Sequence, residues 1–184
     1  MNEQKLAFID VETTGLDITR HEIIQIGAVI VSQDGEIDDK FKFTVLEELE
    51  LKVKPERIED ADKTALRVNG YSPDDWVFAY TLPEAMKMFA EKTEGCIMVA
   101  HNMAFDFAFI TKAFSDTKVE NKMHFHKLDT ISIAYAKAQR KEDINRFSLR
   151  SLCEFFGIEN KNAHTALSDC RATLAVFEKL VNLK

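Results

Sequence analysis

Two carboxylates close an apolar run near the start of the chain, in "KLAFIDVETTGLD". Alternation along a strand puts Asp10 and Glu12 on the face that also carries Leu6 and Phe8. Like charges that close, on a partly buried surface, repel each other and lose hydration. Either the strand has reached solvent at that point, or something positive sits between the two side chains. Two aspartates further along bear on the choice. Asp106, in "AHNMAFDFAFI", shares a helical stripe with Phe109, Ile110 and Ala113, the stripe that faces a core. It stands in a first turn, where negative charge also suits the helix dipole. Asp169, in "NAHTALSDCRATLAVFEKLV", lines up with Ala166, Thr173, Val176 and Leu180, again mostly an inward face. His164 precedes it by five residues, and within one helix the two would lie about 140° apart. The histidine is therefore expected in the lead-in loop, leaning over the same site.

Four carboxylates converging from strand ends and inward helix faces repel severely unless divalent cations neutralise them. Ligation by oxygen alone selects a hard ion, Mg²⁺ or Mn²⁺, over zinc. Two such ions about 4 Å apart serve in-line attack on a phosphodiester, one activating the water and the other steadying the leaving oxygen. The strand then ends in carboxylates because it ends at a metal site.

The elements that must position these residues are legible in outline. "KLAFIDVE", "EIIQIGAVIV" (22–31) and "DKFKFTVL" (39–46) read as strands, joined through Gly15 and a "QDGE" turn into an antiparallel meander. "DADKTALRVNG" reads as a short helix stopped by Gly70. "LPEAMKMFAEKTEG" reads as a helix with Pro83 in its first turn and Gly95 past its end. "CIMVAHN" has the apolar character of a strand buried on both faces. "AFDFAFITKAF" is expected as a helix, "HFHKLD" as a short strand and "TISIAYAKAQ" as a helix. "SLRSLCEFFG" carries Ser148 as N-cap and Gly157 as stop, and a last helix starts near Thr165. A hairpin group followed by strand–helix alternation predicts an α/β fold, a mixed sheet flanked by helices.

Composition narrows the classes. The chain of 184 residues, 46% hydrophobic and 30% charged, suits one soluble domain over 1–184. No run is long enough to cross a bilayer and no export signal opens the chain, so a cytoplasmic protein with no membrane partner is expected. Cys96, Cys153 and Cys170 are too widely spaced for a disulfide framework or a zinc pattern and read as small buried hydrophobes. A net charge of −7 argues against a broad basic face for long duplexes but leaves room for one strand end in a local pocket. The basic stretch "AKAQRKEDINRFSLR" reads as a solvated helix end and loop.

"FIDVETTGLD", "AHNMAFDFAFI" and "HTALSDCRATLAVF" resemble the three exonuclease motifs of the DnaQ-like 3′–5′ exonucleases, in family order and across positions 8 to 177. Thr165 stands where a sister subfamily carries tyrosine, which assigns the histidine type. The resemblance implies a ribonuclease H-like fold, Asp10, Glu12, Asp106 and Asp169 as metal ligands for two Mg²⁺ or Mn²⁺ ions, and His164 as general base. It also implies that Thr13, Gly15 and Leu16 hold the terminal nucleotide and that Phe105 stacks on the next one. Asn69, in "VNGY", replaces a histidine of the proofreading members at a substrate-contacting loop. Asp129 fits the family as well, though capping the following helix accounts for it. The expected partner is a single-stranded nucleic acid 3′ end, cut to nucleoside monophosphates, and no polymerase-binding tail is expected. DNA and RNA both stay open, the Thr13-Thr14-Gly15 element looking more like the DNA-directed members. A non-catalytic nucleic-acid-binding module with the same fold is the alternative from another class.

Overall fold

The structure, a computed structural model, describes residues 4–37, 40–139, 144, 146–160 and 163–183. Strand β1 (Leu6–Thr13) is buried on both faces. Ala7, Ile9 and Val11 pack on one side, and Leu6 and Phe8 on the other. Such a strand belongs at a sheet centre, and β1 lies between β2 (Ile23–Ile37), antiparallel to it, and β4 (Ile97–Ala100), parallel to it. β3 (Lys40–Lys52) forms one edge and β5 (Lys127–Asp129) the other, in the order β3-β2-β1-β4-β5. The hairpin group followed by parallel crossovers is the mixed sheet expected from the sequence.

Helices cover both faces. On the Ala7/Ile9/Val11 face, α2 (Leu82–Lys92) contributes Met86 and Phe89, and α3 (Met103–Thr117) contributes Phe109, Ile110 and Phe114. On the Leu6/Phe8 face, α6 (Ala166–Val181) packs Cys170, Leu174 and Phe177, with Phe177 edge-on to Phe8. Between them in sequence, α4 (Thr130–Ala138) and α5 (Leu149–Phe156) build a third apolar cluster against the outer side of α6. The short α1 (Lys63–Val68) is capped by Asp62, whose carboxylate accepts from Thr64 and Ala65. α2 starts on a Thr81–Glu84 capping box. α5 starts on Ser148 and stops at Gly157 in the left-handed region, as the sequence signals indicate.

One connection differs from expectation. The "QDGE" stretch is not a turn: β2 continues through it, and Gly35, at φ +82°, sits at a register shift against β3. A polar run with glycine suits a bulge as well as a turn, because glycine takes the positive φ without a Cβ clash. β3 likewise runs on to Lys52, since "EELELK" continues the alternation of an edge strand with one solvated side. Part of the basic stretch, 140–143 and 145, lies outside the described residues, as do position 39 of the third strand reading and the terminal Lys184. The three cysteines are buried and unpaired. No helix among the described residues is long and apolar enough to cross a membrane.

Candidate active site

The carboxyl end of β1 carries Asp10 and Glu12, both half-buried. Their cross-strand partners on β2 are Gly27 and Gln25. These two residues seat α6. A Cβ at Gly27 would lie 2.4 Å from the Ala166 carbonyl carbon and 2.6 Å from the Leu167 nitrogen, so the helix backbone fills the space a side chain would take. Gln25 is buried; its Oε1 accepts the Ala166 N–H at 3.0 Å, and its Nε2 donates to Glu50 at 2.8 Å. A glutamine from the neighbouring strand thus satisfies a free donor of the helix start, where Thr165 supplies no side-chain cap. Asp169, in the first turn of α6, is held against the strand end by this close approach. Gly27→Ala should therefore force the first turn of α6 off the sheet, costing about 1–3 kcal/mol of stability. Turnover should fall with it. A thermal melt and a nuclease assay that both match wild type would show that the approach has slack.

α3 is aimed by a different device. Asn102 turns the chain at φ +69° after β4, and the Asp129 Oδ1 accepts the Asn102 and Met103 N–H groups, each at 3.2 Å. The other oxygen of Asp129 accepts the Ser132 N–H at the start of α4. One aspartate at the end of β5 therefore fixes two helix starts. α3 then places Asp106, only 2% exposed, so that its Oδ1 accepts the Val11 N–H at 3.0 Å, between Asp10 and Glu12 in the strand.

His164 lies in the loop before α6, exposed, at φ +72°. Its backbone N–H donates to Asp169 Oδ2 at 3.1 Å. Ligand atoms of Glu12, His164 and Asp169 all lie within 4.8 Å of one another. The expectation that the histidine precedes the helix and leans over the carboxylates matches this placement.

Electrostatics say what the cluster lacks. Burial, then the charges of Asp106, Glu12 and Asp169, push the Asp10 carboxyl well above its ordinary range. Burial, then Asp169 and Asp106, lift Glu12 to about 8. Burial raises Asp106 to about 7 against the lowering hydrogen bond from Val11. Among the described residues no lysine or arginine pairs with any of the four carboxylates. Four carboxylates short of positive charge fit a hard divalent cation, which would hold Asp10, Glu12 and Asp106 ionised at neutral pH.

The loop after β1 carries the residues expected at the substrate. Thr13 is buried and its hydroxyl donates to the Gly15 carbonyl at 2.7 Å. Gly15, at φ +157°, lies under the His21 ring, which would sit 2.5 Å from an added Cβ. Leu16 is 82% exposed at the loop tip. Phe105, half-buried, packs on Phe109 with ring centroids 4.9 Å apart, so one side of it belongs to the core. Asn69, expected beside the substrate, is buried. Its Nδ2 donates to the Thr13 carbonyl at 2.9 Å and its Oδ1 accepts the Tyr71 N–H. It braces the loop from behind, because the end of α1 turns its amide inward. Gln25 and Gly27 are not among the residues that the chemistry-bearing motifs single out. The available signal was a polar residue and a glycine two apart inside an otherwise apolar strand.

A five-stranded mixed sheet with carboxylates delivered to one strand end by the central strand and by two helix starts has the architecture of a ribonuclease H-like fold. Residues 7–177 match the RNase T-type exonuclease family. The chain belongs to that family and is a DnaQ-like exonuclease domain. It is 29% identical to the PolC-type DNA polymerase III of Bacillus subtilis over 181 residues, 98% of this chain and 12% of that protein. It is 28% identical to the 3′–5′ exonuclease DinG of Staphylococcus aureus over 183 residues, 96% of this chain and 18% of that one. E. coli exonuclease I in complex with a dA16 oligonucleotide superposes with a TM-score of 0.80 at 19% identity, over 99% of this chain and 42% of that one. The chain thus spans under a fifth of the curated relatives named here. Exonucleases of the DnaQ family are metal-dependent.

Proposed function

We propose that this chain hydrolyses single-stranded DNA from its 3′ end, releasing nucleoside monophosphates. The observation that carries the reading is the convergence of Asp10, Glu12, Asp106 and Asp169 with His164 at one strand end, beside an exposed apolar loop tip. The polarity and the single-stranded DNA substrate are supported by the 3′–5′ exonuclease DinG and by the oligonucleotide-bound exonuclease I.

Asp10, Glu12, Asp106 and Asp169 would hold two hard divalent cations, Mg²⁺ or Mn²⁺. Bound there, the ions would polarise the scissile phosphate and offset the charge of attacking and leaving oxygens. The protein supplies the rest. The Thr13–Leu16 loop, braced by Asn69 and by the His21 ring packed against Gly15, seats the terminal nucleotide. Leu16 is free to wedge beneath the last base, and the outer face of Phe105 to stack on the one before it. His164, on the open side of the cluster, takes the proton of the attacking water.

A panel of labelled substrates tests this: single-stranded DNA, single-stranded RNA, circular single strands, and DNA ending in a 3′-phosphate. Linear DNA should be shortened from the 3′ end with Mg²⁺ or Mn²⁺, and Ca²⁺ should support little turnover. Circles and 3′-phosphate ends should resist. Full activity in excess EDTA would sink the metal assignment, and efficient cutting of circles would sink the exonuclease mode.

A further inference from the structure

Aiming Asp169 takes more than its place on α6, because a carboxylate in a first turn has rotamers that point away from the strand. Its Oδ2 is held by the His164 N–H. Its Oδ1 accepts a hydrogen bond of 2.7 Å from the Nδ2 of Asn160, a half-buried residue in the segment between α5 and α6. The Asn160 Oδ1 in turn accepts the Ser168 hydroxyl at 2.7 Å. Resting on the metal-dependent exonuclease reading, we propose that Asn160 is a positioning residue of this site. Its amide, oriented by Ser168, holds Asp169 in the conformation that ligates the cation and that accepts the His164 N–H.

The hydrogen bonds allow one arrangement. With the amide reversed, its oxygen would face the Asp169 carboxylate and two acceptors would repel. In the orientation present, the Ser168 hydroxyl donates to the amide oxygen and the amide N–H donates to an anion, a charge-assisted bond. Each oxygen of Asp169 accepts one such bond and keeps a lone pair for a metal ion. Asp169 and the His164 backbone meet at the same carboxylate, so one amide bears on both the ligand and the base. Partners of this kind, one bond removed from the metal, typically change affinity by about 10–100-fold.

The test compares wild type, Asn160→Ala, Ser168→Ala and the double variant by Mn²⁺ binding to the substrate-free protein, followed by electron paramagnetic resonance, and by turnover at saturating metal. Asn160→Ala should weaken Mn²⁺ binding by about 10-fold or more. It should also lower kcat at saturating metal, with the metal-free melting temperature unchanged. Ser168→Ala should weaken binding a few-fold in the wild-type background and have no effect where Asn160 is already alanine, because it acts only through that amide. Wild-type Mn²⁺ affinity in Asn160→Ala, or an equal loss from Ser168→Ala in both backgrounds, overturns the proposal. Wild-type protein that binds no Mn²⁺ overturns the exonuclease reading itself, so the two failures are separable.

Discussion

Asp106→Asn should lose turnover by about 10³-fold or more while making the metal-free protein more stable. On the proposed metal-dependent reading, the variant loses an ionised ligand to the cations, a contribution of several kcal/mol to the transition state. The gain follows from the titration of the cluster. In the folded protein burial lifts Asp106 to about 7, and burial with neighbouring charge lifts Glu12 to about 8. In an unfolded chain both titrate near 4. Between about pH 4 and pH 8 the folded metal-free protein therefore holds more protons than the unfolded chain, and its stability falls as pH rises through that window. Asparagine removes one of the groups whose ionisation is being resisted and can still accept the Val11 N–H. The expected gain is on the order of 2–4 kcal/mol at pH 8, shrinking towards zero near pH 4. Melting curves of the two metal-free proteins across that range check it. A variant that melts well below wild type at pH 8 would show Asp106 to be a structural group whose negative charge the fold needs.

His164→Ala should lower kcat by about 10²–10⁴-fold, the usual worth of a positioned base. Cation and single-strand binding should persist, because the four carboxylates are untouched and the bond to Asp169 comes from the backbone of residue 164. The left-handed φ of +72° adds a control. Asparagine tolerates that conformation better than alanine does but is no base, so His164→Asn should fold at least as well as His164→Ala and be equally slow. Near wild-type kcat in both would leave His164 a polar loop residue beside a site that works without it. Recovery in the asparagine variant alone would make the backbone conformation, not the imidazole, the feature that matters.

Much of this architecture is local, and local patterns are readable in the chain. The apolar run that opens Leu6–Val11, the caps at Asp62, Thr81 and Ser148, and the stop at Gly157 are decided by near neighbours. The core-facing stripes that carry Asp106 and Asp169 follow from helical spacing alone. So four carboxylates and a histidine could be chosen from their positions, since a charge on an inward face is conspicuous. What spacing cannot supply is who supports whom across the sheet. Gly27 matters because the backbone of Ala166, far along the chain, fills the place of its side chain. Gln25 matters because its amide reaches the start of α6, and Asn69 because it turns inward to the Thr13 carbonyl instead of outward. Gly35 looked like a turn and became a bulge, since the partner strand and not the residue itself chose between them. Local patterns in the chain are enough to pick out the groups proposed to do the chemistry. The tertiary structure decided how they are aimed, because hydrogen bonds and close approaches between distant segments exist only once the sheet and α6 have met.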